Sequence, residues 1–357
     1  MNIALDATPL LEPTGGVCRY TSELTLALAG CCPEDEFWLL SDQPFPRLNA
    51  APANVRYGRG PQSMLERRWW LWGLQSEISR LKIDVFHGTD FAVPYVPVRP
   101  SILTLHDLSP WLDPAWHTAA ERVRKRTPVL LRLGLATLLL TPSEAIRREA
   151  IARFRIPVDR IVSVPHAASA VFRPVPFAVP ETPFFLFVGT LEPRKNVSLL
   201  IDAWREVRKR HRVDLILAGR RRDDFPELPA EEGLHLLGAV PNERLPELYS
   251  SCTVCVYPSF YEGFGLPVLE AMQCGAAVIA SRDPAILETS AGAAVALDAR
   301  DTRGWIDALT AAVENPAWVS ELREKSLRRA ADFSWAKTAQ RTREVYDEAI
   351  RRFRGKS

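Results

Sequence analysis

Two carboxylates, Glu262 and Glu270, stand eight residues apart in Ser259-Phe-Tyr-Glu-Gly-Phe-Gly-Leu-Pro-Val-Leu-Glu270. In one unbroken helix they would lie roughly 12 Å apart along the axis and on different faces. Gly263 and Gly265 argue against an unbroken helix, because they permit a curled backbone. Glu262 is therefore expected on a loop, and Glu270 one turn into a helix over Leu266–Cys274. Pro267 sits in that helix's first turn, where its missing N–H costs little. The N-terminus between the two carboxylates offers bare N–H groups, which attract anions. An anion flanked by hydroxyl-binding carboxylates describes a sugar diphosphate.

A second group of chemistry-bearing residues follows the apolar run Phe184–Gly189, in Thr190-Leu-Glu-Pro-Arg-Lys-Asn196. Ligands of open α/β sheets bind beyond the carboxyl ends of the strands. Arg194 offers phosphate a planar fork, and Lys195 adds a compact charge. The competing reading is a solvated basic pair ahead of a helix capped near Asn196. In the first half, Thr14-Gly15-Gly16 makes a glycine turn after the first strand, and its N–H groups could approach a phosphate or a reacting sugar. His87 and His106, the latter beside Asp107, both end apolar runs. A lone histidine at such a place is as readily structural as catalytic. Asp223 and Asp224 read as a polar loop rather than a metal cluster.

The full string around Glu262 and Glu270 resembles the E-x7-E motif of retaining nucleotide-sugar glycosyltransferases of family 4, and Gly189 to Asn196 resembles that family's basic element. The resemblance covers nearly the whole chain. It implies the GT-B fold: two doubly wound Rossmann-like α/β domains facing a cleft, with C-terminal helices packing back. It also implies that Arg194 and Lys195 bind the donor diphosphate, with no cofactor and no metal ion. Donor contacts are expected from Gly15, Gly16, Gly263, Phe264, Gly265, Leu266, Val240 and Glu270, and catalytic roles from Glu262, Arg194, Lys195 and His106. His106-Asp107 resembles the family's acceptor-side pair. Two positions depart from the pattern: Cys18 stands where many relatives carry a third glycine, and His166 where they carry Asn-Gly, so His166 reads as hinge structure. The likeness is nearest to bacterial mannosyltransferases of surface-polysaccharide assembly. The expected reaction moves a hexose, mannose favoured, from a GDP- or UDP-linked sugar to a saccharide or polyprenyl-linked acceptor. No protein nucleophile is evident, which favours front-face displacement. Two other readings stay open: a glycoside hydrolase using the two glutamates, and a non-catalytic nucleotide-sugar-binding subunit.

The elements that must hold these residues alternate between apolar runs and helical patterns, as in parallel α/β sheets. Strands are expected at Asn2–Ala7, Phe37–Ser41, Val55–Arg59, Asp84–Gly88, Ser101–Leu108, Leu135–Thr141 and Ile161–Pro165. A second series has strands at Phe184–Thr190, Val213–Gly219, Leu234–Val240, Cys252–Tyr257 and Ala276–Ser281. Helices are expected near Ser63–Leu81, Ala119–Leu133 and Ser143–Phe154, and throughout the chain after Asp301. Prolines crowd the middle, giving domains at 1–170 and 184–335, a stiff linker at 171–183, and a final helix at 336–357 returning to the first domain.

With 357 residues, 47% of them hydrophobic, the chain can build two cores. A net charge of +2 gives no field for nucleic acid. The first residues lack a basic n-region, and Pro128–Leu140 is too short to span a bilayer, so a cytoplasmic protein is expected. Six scattered cysteines fit a reducing compartment, with Cys252 and Cys255 as buried thiols. Arg122, Arg124, Lys125 and Arg126, like Arg67-Arg68-Trp69-Trp70, read either as solvated or interdomain faces or as a peripheral contact with the inner membrane.

Overall fold

In the computed structural model, residues 1–12, 15–117, 120–228 and 230–355 are described. They form two compact units, Met1–His166 with Ser334–Ser357, and Ala167–Phe333. Thr14 and Ala119, at the starts of two expected elements, lie outside the described residues.

The first unit holds a sheet of seven strands: Asn2–Asp6 (β1), Glu36–Leu40 (β2), Val55–Tyr57 (β3), Val85–Gly88 (β4), Ser101–Thr104 (β5), Leu138–Thr141 (β6) and Ile161–Ser163 (β7). Their order is β3-β2-β1-β4-β5-β6-β7, and every pairing is parallel. The second unit repeats this winding with Phe184–Val188 (β8), Asp214–Ala218 (β9), Leu234–Gly238 (β10), Val254–Tyr257 (β11), Val278–Ser281 (β12) and Val295–Leu297 (β13). Its order is β10-β9-β8-β11-β12-β13, again all parallel. Each sheet reverses direction at a switch point, between β1 and β4 in the first unit and between β8 and β11 in the second. Such points leave a crevice at the carboxyl ends of the strands.

Burial explains why these segments are strands. Phe184-Phe-Leu-Phe-Val188 is buried along its whole length, as a parallel strand covered on both faces must be. Its partner β11 is buried throughout and includes Cys255, while Cys252 lies buried just before it, both as free thiols. The expected strand Ser101–Leu108 stops at Thr104, which leaves His106 and Asp107 on a loop. The short strand β13 was not expected: three residues are too few to give a recognisable apolar run. The expected helix over Ser63–Leu81 is instead a wide turn, Trp69–Gly73, running into Leu74–Arg80. A Cβ at Gly73 would stand 2.1 Å from the Glu66 carbonyl, so only glycine fits that bend.

The expected linker differs as well. Ala168 and Phe172 are buried in the core of the second unit, and the Gln273 amide donates to the carbonyls of Ser169 and Phe172. The boundary therefore falls at His166/Ala167, because the apolar Phe172 outweighs the stiffness of the surrounding prolines.

The last helix, Trp335–Arg354, belongs to the first unit. Arg343 Nε donates to Asp35 at 2.6 Å, and the Thr338 hydroxyl donates to the Pro165 carbonyl. Inside the unit, the Tyr346 hydroxyl and His87 Nδ1 share a 2.8 Å hydrogen bond, while His87 Nε2 meets the Thr104 hydroxyl at 2.7 Å. Replacing Tyr346 by Phe removes one partner from a fully buried ring. It should cost about 1–3 kcal/mol, read as a lower urea midpoint with native circular dichroism. An unchanged midpoint would show that the contact does not hold the helix.

Candidate active site

The switch point of the second sheet gathers the basic pair and Glu262. The loop after β8 makes one tight turn, Pro193–Lys195, and Asn196 then takes a left-handed conformation at φ 54°. Asn196 does not cap the following helix, Val197–Arg208, through its side chain. Its amide donates instead to the carbonyls of Pro258 and Ala299, at 3.2 and 2.7 Å. The Phe260 N–H donates to the Arg194 carbonyl, which ties the loop after β11 to the loop after β8.

These ties bring buried charges together. Lys195 Nζ donates to Glu262 Oε1 at 2.6 Å. Arg194 reaches Glu262 Oε2 at 3.3 Å, the Tyr261 carbonyl at 2.7 Å and Glu192 Oε1 at 2.8 Å. Arg222 donates to the other oxygen of Glu192 at 2.8 Å and also pairs with the more exposed Asp224. Glu192, Arg194, Lys195 and Glu262 are each 9% exposed or less. Burial alone would raise the Glu262 carboxyl, but Lys195 and Arg194 outweigh it and hold the group below its ordinary range. For Lys195 burial wins over the pull of Glu262, and its ammonium is lowered. The ammonium also lies 5.3 Å from the ring centre of Tyr257.

The rest of the motif shapes the loop. Gly263, Phe264 and Gly265 are buried. Gly265 turns at φ 86° and opens the helix Leu266–Gln273. The Phe264 carbonyl accepts the Thr289 hydroxyl, and its ring packs edge-on against Phe333. Glu270, on the helix, is almost fully buried, and the Tyr249 hydroxyl donates to it at 3.4 Å. Val240 lies elsewhere, after the edge strand β10. It lines an apolar cavity of about 320 Å³ with Phe184, Ile216, Leu237 and Leu248, and no member of the charged cluster is among the described residues of that wall.

In the first unit, Gly15 has φ 129° and precedes the helix Gly16–Cys31, with both glycines exposed. His106 donates Nε2–H to the Thr89 carbonyl at 2.7 Å, and burial lowers the ring so that it stays neutral. Asp107 does not pair with it. Its Oδ1 accepts from the Ser109 N–H and hydroxyl, which fixes the start of a short helix. His87 is a satisfied core residue, pushed by burial to about 3. His166 is packed between Tyr20 and Trp335.

Residues 182–315 match the family described as glycosyl transferases group 1, and residues 14–172 match glycosyltransferase family 4. The O-antigen chain mannosyltransferase B of Escherichia coli is 31% identical over 97% of this chain and 99% of its own length. The chain belongs to the group 1, family 4 glycosyltransferases. Solved structures agree in fold. A sucrose-phosphate synthase from Thermosynechococcus elongatus superposes with a TM-score of 0.75 at 18% identity, covering 98% of both chains. HepE from Anabaena, in complex with UDP and glucose, gives 0.73 at 17% identity, covering 98% of this chain and all of that one. The fold is GT-B. No helix of this glycosyltransferase, among the described residues, is long and apolar enough to cross a membrane.

Sequence reasoning missed Glu192, Arg222 and Asp283. Asp283 caps the helix Pro284–Ser290, and its Asp-Pro dipeptide is the signal that could have found it. Its other oxygen accepts the backbone N–H of Glu262 at 3.2 Å, so the cap also fixes the loop. Burial, and then Glu262, raise the Asp283 carboxyl to about 7. A group raised on folding lends stability in full below its ordinary value of 3.8 and loses it as pH rises through about 7. The glycosyltransferase should therefore lose melting temperature over that window. In Asp283→Asn this component of the loss should vanish. A pH profile of melting identical to the wild type would contradict it.

Proposed function

We propose that this glycosyltransferase is a retaining hexosyltransferase that uses a GDP- or UDP-linked sugar, with mannose as the favoured hexose. The acceptor is a saccharide or a polyprenyl-linked saccharide. The observation that carries this reading is the buried cluster at the second switch point. There, three cationic side chains, Arg194, Lys195 and Arg222, meet two buried carboxylates, Glu192 and Glu262. Positive groups held fixed beside a helix N-terminus suit a diphosphate. The names of similar proteins support it: a mannosyltransferase by sequence, and a fold neighbour solved with UDP and glucose.

Departure of the nucleoside diphosphate moves negative charge onto its phosphate oxygens. Arg194 and Lys195, already fixed, meet that charge without reorganising. In this reading they do the work that a divalent ion would otherwise do. Glu262 gives one oxygen to each cation, but a carboxylate has about four acceptor sites. Lone pairs remain for hydroxyls of the transferred sugar. A carboxyl held below its ordinary range is a poor proton donor, which disfavours a hydrolase with Glu262 as acid. With no nucleophile assigned on the sugar's reacting face, the donor phosphate takes the acceptor proton in a front-face displacement. Gly15, Gly16 and neutral His106 are assigned to the reacting sugar and the acceptor hydroxyl. Gly263, Phe264, Gly265 and Leu266 hold the helix entrance against the donor, and Val240 is assigned to its base.

A peripheral membrane contact is part of the proposal. On the helix Glu121–Arg132, Arg122, Lys125 and Arg126 border an apolar cavity of about 570 Å³ with Val129 and Leu133, and both of these are exposed. This pattern suits an anionic lipid surface on the cytoplasmic side. The other candidate segment does not support it in full, since Trp69 is a core residue and Arg126 lies over Trp70.

Arg194→Ala and Lys195→Ala should each lower kcat by about 10²–10³-fold. Each also leaves Glu262 with one cation instead of two, so activity is compared below the melting point of the weaker variant. Wild-type turnover in both would sink the assignment.

The two glutamates should separate in their effects. Glu270, assigned to the ribose, touches a part of the donor that the reaction leaves unchanged. Glu270→Gln should raise donor KM and weaken free nucleoside diphosphate. Glu262→Gln should chiefly lower kcat. Calorimetry with free nucleoside diphosphate decides between them: equal weakening in both variants would refute the sugar-versus-ribose division.

A further inference from the structure

Three arginines from two loops line one cavity of the first unit, about 640 Å³ in volume. Arg47 comes from the loop after β2, and Arg59 and Arg67 from opposite ends of the single segment between β3 and the Trp69–Gly73 turn. Asp42 is the single carboxylate in the described wall. Among the described residues, Arg47 and Arg67 have no ion pair. Arg59 is ion-paired twice, its Nε 3.4 Å from Glu77 and its Nη2 3.7 Å from Glu66.

The loops are built rather than loose. The Tyr57 hydroxyl accepts the Leu48 N–H at 3.1 Å, and Phe45 packs against the same ring. Arg47 lies over that ring, 5.0 Å from its centre. Tyr57 therefore holds both the loop and its arginine. The Gly58 N–H donates to the Leu39 carbonyl, and a Cβ there would come within 2.5 Å of Leu40, so the loop after β3 must hug β2. The cavity lies beyond the carboxyl ends of β2 and β3. That is the carboxyl end of the sheet, at which Gly15 and His106 also stand.

We propose that this cavity binds a phosphate or pyrophosphate group carried by the acceptor. Guanidinium forks match phosphate oxygens two at a time, and Arg47 and Arg67, neither ion-paired among the described residues, bring two positive charges to meet a dianion. The donor diphosphate is already assigned to Arg194 and Lys195 in the other unit, so an anion here belongs to the second substrate. The inference rests on that assignment. The shared chemistry has two sources, a soluble sugar phosphate or a prenyl diphosphate.

The test is calorimetry of the full chain with inorganic pyrophosphate, in the presence of excess nucleoside diphosphate to fill the donor site. One pyrophosphate per chain should bind, and the double variant Arg47→Ala/Arg67→Ala should weaken it roughly ten-fold or more. In the same variant, acceptor KM should rise while nucleoside diphosphate affinity stays at the wild-type value. Both arginines are exposed, so the fold should survive, as thermal melting checks. Arg47→Lys/Arg67→Lys should retain part of the binding. Mannose 1-phosphate and geranyl diphosphate, titrated as competitors, then name the source by which one displaces pyrophosphate. Absence of pyrophosphate binding, equal binding in the double alanine variant, or displacement by neither competitor would overturn the proposal. Failure of the nucleoside diphosphate itself to bind would instead count against the donor assignment, and the pyrophosphate titration would still be read.

Discussion

A charge taken out of water must be paired, and in the second unit this constraint fixes where two strands may end. Glu262 and Lys195 are buried together at 2.6 Å, and Arg194 joins Glu262 to Glu192. Removing water from an ion costs several kcal/mol, and only close, hydrogen-bonded partners offset this. The loops after β8 and β11 are thus held in mutual register by side chains 67 and 68 residues apart. Backbone contacts repeat the tie, from Phe260 to Arg194 and from Asn196 to Pro258. A hydrophobic cluster of the same volume would serve stability as well or better. Ions kept in its place make sense if the positive groups have to be rigid before any anion arrives.

The same constraint explains which parts of the site could be read from the sequence. The places of Glu262, Arg194 and Lys195 on their loops, and of Glu270 on its helix, were legible because each lies in a short string whose local geometry follows from glycine, proline and a strand–helix junction. Glu192 was not legible. Standing before Pro193 it looks like a loop residue, and its purpose depends on Arg222, which arrives from the next strand crossing. Asp283 was half legible: Asp-Pro marks a helix start, but its bond to the Glu262 backbone spans 21 residues of chain. Asp107 misled in the opposite direction. Adjacency to His106 suggested a pair, whereas an aspartate two residues ahead of Ser109 is better placed to close a turn.

The fold was legible at the level of periodicity, and it failed where length or distant packing decided. Continuous apolar runs such as Phe184–Val188 gave strands, whereas the three-residue β13 carried too little signal. The boundary between units moved to His166/Ala167 because Phe172 finds a core that no local rule shows. The return of the last helix to the first unit depends on Tyr346 meeting His87, 259 residues away. Its amphipathic pattern announces a helix but not what the helix covers.

The ends of β8 and β9 show how backbone geometry serves the charges. Gly189 and Gly219 take φ of 151° and 156°, and a Cβ on Gly219 would stand 1.8 Å from the Gly189 carbonyl oxygen. Two strands can come this close at their ends only if one of the residues has no side chain. The close approach lets pairing continue past both strands, through the bridge between Leu191 and Arg221 and the Arg222 N–H on the Leu191 carbonyl. That extension carries Arg222 to Glu192, and Glu192 in turn holds one fork of Arg194. A methyl group at Gly219 would thus act on the site through this chain of contacts, because the position of a buried arginine is set by whichever carboxylate the backbone can deliver to it.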